Sequence, residues 1–363
     1  MYEPNVRITA KLQNSLNSIE EIRDLVRAIP GLPIIEERIK REALVDTVYY
    51  TAKIEGNPLD IRTAERIGTK QLSMFKDEDS QTYANMYKAM DFVKGVAEET
   101  DIPIDEEVIK QIHAFVIRDI PSQGSPGVYK LAPNAILDKA TKQHIFLPPN
   151  PSDTPNLMNE LTAWLTRKPL AIHPVIAAGV AHLELVAIHP FDNGNGRTAR
   201  ALADLILYRY GYSFRYLFSW VRKVGIDMDI YHRKLREVLG SKYGDNSDAT
   251  MWVEYFADSV AKSLDEKKPM LLNLHNYFVE AENIGREKGF SRDQVHAMVY
   301  ADFYGYVTTG IYMNATKLSR ATVVKRLTEL VDGGVMRVEG KGRNVRYVLT
   351  GEATRGDKEQ QTV

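Results

Sequence analysis

The stretch His189-Pro-Phe-Asp-Asn-Gly-Asn-Gly-Arg-Thr-Ala-Arg200 is the one from which the rest of this chain can be read. Its glycines, Gly194 and Gly196, can adopt positive φ and let backbone N–H groups approach a ligand with no Cβ in the way. Such a turn can form a nest for an anion. A helix is expected to begin near Asn195 or Gly196, because Ala199, Leu202, Leu205 and Ile206 give it a buried stripe. Arg197 and Arg200 then lie in its first turns on one face, where the positive end of the helix dipole disfavours cations by roughly 0.3–1 kcal/mol each. A purely structural helix would carry Asp or Glu there. Two cations beside a helix N-terminus and a glycine nest make a positive potential that suits a polyphosphate. His189 stands at the other end of the loop. With an unperturbed pKa of about 6.5 it is largely neutral at pH 7 and can accept a proton from an attacking hydroxyl. Pro190 and Phe191 would stiffen and anchor the loop, which matters because a misplaced base is a poor base. Each piece alone has a plain reading: a Gly-x-Gly is usually a turn, and a lone histidine a surface or satisfied core residue.

Outward from the loop, apolar residues recur at helical spacing through residues 12–29, 34–54, 83–97 and 106–117. The same spacing returns in 154–165, 173–188, 198–210 and 250–264. The body is therefore read as mainly α. Residues 129–146 are the exception, alternating polar and apolar side chains around a turn-like segment at 138–142 before Pro148-Pro149 ends them. That pattern predicts a β-hairpin, and periodicity alone makes it a surface hairpin without a task.

From about Leu271 helix-like segments lead into residues 314–334, with Ser319 as an N-cap and Leu327, Leu330 and Val331 spaced for one buried face. A second hairpin is expected from residues 335–338 and 345–349 around Gly340-Lys-Gly-Arg343. Helix, turn, helix, hairpin is a winged-helix layout. Lys317, Arg320, Lys325 and Arg326 fall near its recognition helix, and Lys341, Arg343 and Arg346 in its wing. Those cations suit phosphate contact with DNA; a solvated face used for protein docking or dimer formation is the equal alternative. Residues 353–363 are polar and read as a disordered tail.

The 363-residue chain is too long for one compact core, so two or three units are expected. Hydrophobic residues at 44% and charged residues at 26% are ordinary globular usage. A net charge of -1, from 47 basic and 48 acidic side chains, supplies no global field for nucleic acid or an anionic membrane. The absence of cysteine excludes disulfides, thiolate zinc sites and a cysteine nucleophile, and fits a reducing compartment. Met1-Tyr-Glu-Pro-Asn lacks the basic start and apolar run of a secretory signal. The longest apolar stretch, residues 175–188, contains His182 and Glu184 and is shorter than the roughly 20 residues that span a bilayer. The expectation is a cytoplasmic protein with no membrane partner.

The loop as a whole resembles the signature of the Fic family, HPFx(D/E)GNGRxxR, at His189, Pro190, Phe191, Gly194, Asn195, Gly196, Arg197 and Arg200. Residues 178–188, Gly127-Val-Tyr-Lys130 and Pro148-Pro149 are also similar to the family, so the likeness spans about residues 106–210. The resemblance implies an all-helical Fic core with a β-hairpin flap, followed by the winged-helix (α+β) domain. The expected division is 1–100 for an N-terminal helical region carrying an inhibitory helix, 101–270 for the catalytic core and following helices, 271–352 for the winged helix and 353–363 for the tail. It further implies a protein adenylyltransferase that moves AMP from ATP onto a Tyr, Thr or Ser hydroxyl of a target protein, with magnesium, as a homodimer. His189 would deprotonate the hydroxyl; Gly194, Asn195, Gly196 and Arg197 would hold phosphates, and Arg200 would pair with the γ-phosphate. Catalysis of this kind is mostly positioning and charge neutralisation. Asn134, Ala135, Ile136, His144, Ile145 and Phe146 would form the flap that clamps the target by strand addition. The sequence departs from the pattern at Asn193, where the family usually has its acidic metal ligand, with Asp192 one place early. Magnesium is held largely by phosphates and water, so an amide oxygen there would serve at reduced affinity.

Near the N-terminus, Thr51-Ala-Lys-Ile-Glu55-Gly56 matches the (S/T)xxxE(G/N) inhibitory motif of the family. Glu55 closes the expected helix 34–54, with Gly56 as its stop. A carboxylate at a helix C-terminus is electrostatically unfavourable unless a cation compensates it. Glu55 and Arg200 are thus two misplaced charges of opposite sign, and their pairing would cure both while keeping Arg200 from ATP. A solvated glutamate is the plain alternative, and support of AMP removal by Glu55 is another. Two classes of function stay open: an autoinhibited AMP transferase whose tail module selects partners, and a DNA-binding regulator whose Fic core only senses nucleotide. A Fic enzyme transferring another phosphate-containing group is a further option, against which the Gly-Asn-Gly-Arg loop favours AMP.

Overall fold

A computed structural model describes residues 2–69, 75, 77–137, 144–167, 172–244 and 248–351. The expected turn at 138–142 and the tail at 353–363 lie outside the described residues. The chain groups into two compact units, one of Met1–Arg23 and Lys40–Glu266, the other of Asp24–Ile39 and Lys267–Val363. This differs from the linear division above. Most of residues 1–100 fold into the motif-bearing unit, while residues 24–39 go with the C-terminal one.

In chain order the helices before the first hairpin are α1 (Ala10–Ala28), α2 (Pro33–Ile54), α3 (Ile61–Thr69), α4 (Glu78–Glu98) and α5 (Glu106–Ile117). Strands β1 (Ile136–Leu137) and β2 (His144–Phe146) follow, then α6 (Thr154–Thr166), α7 (Pro174–Ile188), α8 (Asn195–Arg209), α9 (Trp220–Ile226), α10 (Met228–Leu239) and α11 (Thr250–Asp265). The last elements are α12 (Lys268–Lys288), α13 (Arg292–Tyr304), α14 (Thr309–Thr316), α15 (Arg320–Asp332), β3 (Met336–Glu339) and β4 (Arg346–Leu349). The expected helices are all present within a few residues of their sequence limits. Helices α3, α9 and α10 were not anticipated; α3 and α9 are too short for periodicity to stand out.

Helix α7 is the axis of the first unit. It is apolar on every side, and from Val175 to Ile188 only Glu184 is not fully buried, as expected of a helix surrounded by others. It packs along α8 and against α6 and α11, while α4 and α5 cover α8. The loop between α7 and α8 is thus fixed at both ends by core helices. Gly194 has φ 76, and a Cβ there would lie 2.9 Å from Ile117 Cγ2, so only glycine fits this entry to α8.

The hairpin is far shorter than the alternation over 129–146 predicted. Among the described residues only Ile136 opposite Phe146 and Leu137 opposite His144 pair, with an irregularity between them. The residues before β1 turn instead toward the motif: the Lys130 N–H donates to Pro190 O at 2.9 Å. In the second unit α12 packs on α13, α14 on α15, and α13 on both α15 and β4. Val323, Leu327 and Leu330 form the buried face of α15, with Val331 only partly buried. The Ser319 hydroxyl accepts from the Thr322 N–H as its N-cap. Strands β3 and β4 pair antiparallel from Met336 opposite Leu349 to Glu339 opposite Arg346. Among the described residues no helix is long and apolar enough to cross a membrane.

Candidate active site

His189 is the C-cap of α7, in a left-handed conformation with φ 49 and ψ 57. A non-glycine residue held there costs of order 1–3 kcal/mol and persists only where its surroundings determine it. Its N–H donates to Leu185 O at 3.0 Å, and Nδ1 lies 3.2 Å from Val186 O. A carbonyl can only accept, so the proton sits on Nδ1 and the Nε2 lone pair remains for a partner. Burial pushes the imidazole down to about 4. Above that it is neutral. The ring lines a cavity of about 380 Å³ together with Glu55, Gly196, Arg200, Tyr231 and Phe146.

The loop between His189 and α8 is braced from within. Phe191 is fully buried and stacks on His113, with ring centroids 3.7 Å apart and planes 4° from parallel. His113 accepts from the Gly127 N–H at Nδ1 (3.0 Å), so its Nε2–H donates to Asn193 O (3.0 Å). Burial holds this imidazole too at about 4, and its tautomer is fixed by those two bonds. Asn195 differs from expectation. It is 2% exposed, and its side chain accepts from the Phe191 N–H (2.9 Å) and donates to Phe191 O (2.8 Å). Both ends of the carboxamide close the loop rather than face a ligand.

The two arginines of α8 take different environments. Arg197 is 4% exposed; one Nη donates to Gln123 Oε1, while Nε and the other Nη have no partner among the described residues. Unsatisfied buried guanidinium donors are rare and suit an anionic ligand. Arg200 is 1% exposed and donates from Nε to Thr51 Oγ1 (2.6 Å) and from Nη2 to Thr51 O (2.9 Å) and Glu55 Oε1 (2.7 Å). The pairing expected from two misplaced charges is present. Although desolvation opposes it, Arg200 and then Arg197 hold the Glu55 carboxyl at about 2. Gly56, with φ 97, ends α2 just beyond, and a Cβ at Gly196 would overlap the Glu55 carboxylate.

Sequence reasoning missed the far side of Arg200. Its Nη1 donates to the Tyr231 hydroxyl at 3.3 Å, and that hydroxyl bonds His182 Nε2 at 3.0 Å, deep beside Trp252. The bond from Arg200 makes the Tyr231 oxygen an acceptor, so its own proton goes to His182, which is neutral and well below its ordinary range through burial. His182 stood out as a polar residue in an apolar run. Tyr231 offered no local signal.

Of the expected flap, Ile136, Ile145 and Phe146 line the motif's cavity, His144 is exposed and Ala135 half-buried. The Asn134 side-chain amide donates to His189 O (3.2 Å) and Phe191 O (3.0 Å), so it supports the loop. Asp192 and Asn193 are exposed. A second cavity, of about 450 Å³ near Gln13, Leu16, Glu20 and His173, contains none of the motif residues.

The buried neutral histidines have a consequence for stability. His113 and His189 fall from 6.5 to about 4, so the unfolded chain binds protons that the fold excludes. Their contribution is intact above pH 6.5 and is lost as pH falls from there toward 4. Glu55, lowered from 4.5 to about 2, keeps its contribution above pH 4.5 and loses it as pH falls from there toward 2. Burial raises the Asp204 carboxyl to about 7 and works in the opposite sense, but the two histidines outweigh it, so the melting temperature is expected to fall from pH 6.5 to 4.5 at constant ionic strength; a flat profile would contradict the neutral assignment.

Residues 103–207, which contain the loop from His189 to Arg200, match the Fic/DOC family, and the chain carries a Fic/DOC domain there. Among similar proteins is the Protein adenylyltransferase Fic of Nematostella vectensis, 30% identical over 203 residues that cover 55% of this chain and 46% of that protein. The Drosophila erecta protein of the same name is 29% identical over 258 residues, covering 70% and 48%. This chain spans about half the length of these curated relatives. A crystal structure of a Fic family protein from Desulfovibrio desulfuricans G20 shares the fold with a TM-score of 0.63 at 22% identity, covering 98% of this chain and 100% of that one. Fic-1 from C. elegans has a TM-score of 0.56 at 22% identity, over 72% of this chain and 73% of that one.

Proposed function

We propose that this chain is a protein adenylyltransferase, held in check by its own Glu55. The observation that carries the reading is the His189 imidazole, with Nε2 unprotonated, lining the same cavity as the Glu55–Arg200 pair. In the reaction, Nε2 takes the proton of a target Tyr, Thr or Ser hydroxyl. The oxygen forms a bond to the α-phosphorus of ATP, and the bond to the leaving pyrophosphate breaks in line. The unpartnered donors of Arg197 and the glycine-flanked start of α8 take phosphate oxygens. Arg200 serves the γ-phosphate only after Glu55 releases it. Ile136 and Ile145 place the β1–β2 hairpin beside the cavity, in keeping with a flap that holds the target backbone.

ATP labelled at the α-phosphate, but not at the γ-phosphate, is expected to leave label on protein. Transfer of the γ label instead would make the enzyme a kinase. When bound, magnesium would neutralise charge on the phosphates, and the exposed Asp192 carboxylate and Asn193 amide supply oxygen donors at the loop. Asn193→Asp should lower the magnesium concentration needed for half-maximal transfer several-fold; an unchanged metal dependence would remove Asn193 from the ligand set.

The C-terminal unit is read as a winged helix for partner recognition. Arg326 pairs with Asp293 (3.2 Å), and Arg337 and Arg346 both pair with Glu339 (2.9 Å each). These internal pairings favour protein docking over DNA. A homodimer in the cytoplasm is carried by the family resemblance and the absence of cysteine.

A further inference from the structure

His189 is not glycine, yet its backbone sits where L side chains rarely stay. What holds it there is a group of contacts from the segment between α5 and the hairpin. The Lys130 ammonium donates to Ile188 O at 3.2 Å and to Asn134 Oδ1 at 2.9 Å. The Asn134 amide in turn donates to His189 O and Phe191 O at 3.2 and 3.0 Å. The Lys130 backbone N–H takes Pro190 O at 2.9 Å. Carbonyls 188, 189, 190 and 191 are therefore all engaged by two residues.

Lys130 is 2% exposed, and no carboxylate lies within ion-pair distance of it among the described residues. A buried ammonium without such a partner is costly unless its protons are satisfied. Here the acceptors include the C-terminal carbonyl of α7, the helix end at which a cation is favoured. The lysine is thus placed by the carbonyls it binds.

We propose that Lys130 and Asn134 are positioning residues that lock the left-handed turn at His189 and so aim its imidazole at the reacting hydroxyl. The inference rests on the reading of His189 as the base. Lys130 and Glu55 are the charged groups that bear on His189, and Asp192 bears on Lys130. The Lys130 charge adds to burial in keeping the imidazole neutral.

The test uses the full chain with Glu55→Gly, so that transfer can be measured, and adds Asn134→Asp or Lys130→Met. Asn134→Asp keeps the volume and the acceptor for Lys130 while removing both N–H donations. In either variant kcat is expected to fall about 10²-fold, the loss typical of a base moved by an ångström. KM and the equilibrium affinity for ATP should hold, because the phosphate-binding groups are on α8. In Lys130→Met the NMR titration of the His189 imidazole should move upward as the cation is lost. A kcat within about twofold of the Glu55→Gly parent, or parallel loss of kcat and ATP affinity, would overturn the proposal. If the parent itself transfers nothing, the proposed function fails instead. Backbone NMR of residues 188–191 then still judges the clamp: a left-handed turn at His189 unchanged in both variants refutes it.

Discussion

Glu55→Gly is expected to raise AMP transfer from ATP by roughly 10- to 100-fold, the equivalent of one to two charge-assisted hydrogen bonds regained by the γ-phosphate. Arg200 now spends Nη2 on Glu55 at 2.7 Å, and the carboxylate lies against Gly196 at the start of α8. Removing it frees that donor and clears the space where a phosphate would meet the helix. Arg200 would not collapse, because Thr51 and Tyr231 still hold it from the other sides. The variant also costs stability, because Arg200 is 1% exposed and loses its counter-charge, although exposure of 41% of the Glu55 side chain screens part of the pair. Initial rates with α-labelled ATP give the answer. An unchanged rate would mean that the pair is structural and that the site is limited by something else.

The second large effect is the loss of His189. Within the Glu55→Gly parent, His189→Asn should reduce transfer by about 10²- to 10⁴-fold, the range a positioned general base contributes. Asparagine is the better substitution than alanine because it tolerates the left-handed backbone that His189 adopts. Affinity for ATP should be retained, since in the proposed reaction the imidazole meets the hydroxyl and not the phosphates. Loss of ATP affinity alongside activity would make His189 a ligand-binding residue and leave the base unassigned.

Much of this site was legible in the sequence, for reasons that can be traced to single residues. Arg197 and Arg200 at a helix N-terminus and Glu55 at a helix C-terminus each oppose a dipole, and such local violations mark function. The 2.7 Å pair joins two of them across a sequence separation of 145. Gly194 and Gly196 are explained by a positive φ and by a carboxylate lying too close for a Cβ.

What stayed hidden depends on tertiary contact. Tyr231 meets His182 and Arg200 from a helix whose own pattern says only that one side is buried. The loop-closing bonds of Asn195 stayed hidden because an amide in a tight loop can bond a ligand or its own backbone, and only geometry chooses. The alternation through residues 129–135 reflects burial of Tyr129 and Lys130 near the motif loop, not strand pairing. The bonds from Asn134 to the motif loop stayed hidden for the same reason. The division into units was hidden because residues 24–39 fold with segments more than two hundred positions away.

The central claim is that an unprotonated imidazole and a restrained arginine share one nucleotide cavity. Intact-mass spectrometry of the Glu55→Gly protein after incubation with ATP and magnesium tests it most directly. A mass gain equal to one AMP, absent when His189→Asn is added, is the predicted result. No gain, a gain equal to one phosphate, or a gain that persists without His189 would contradict it.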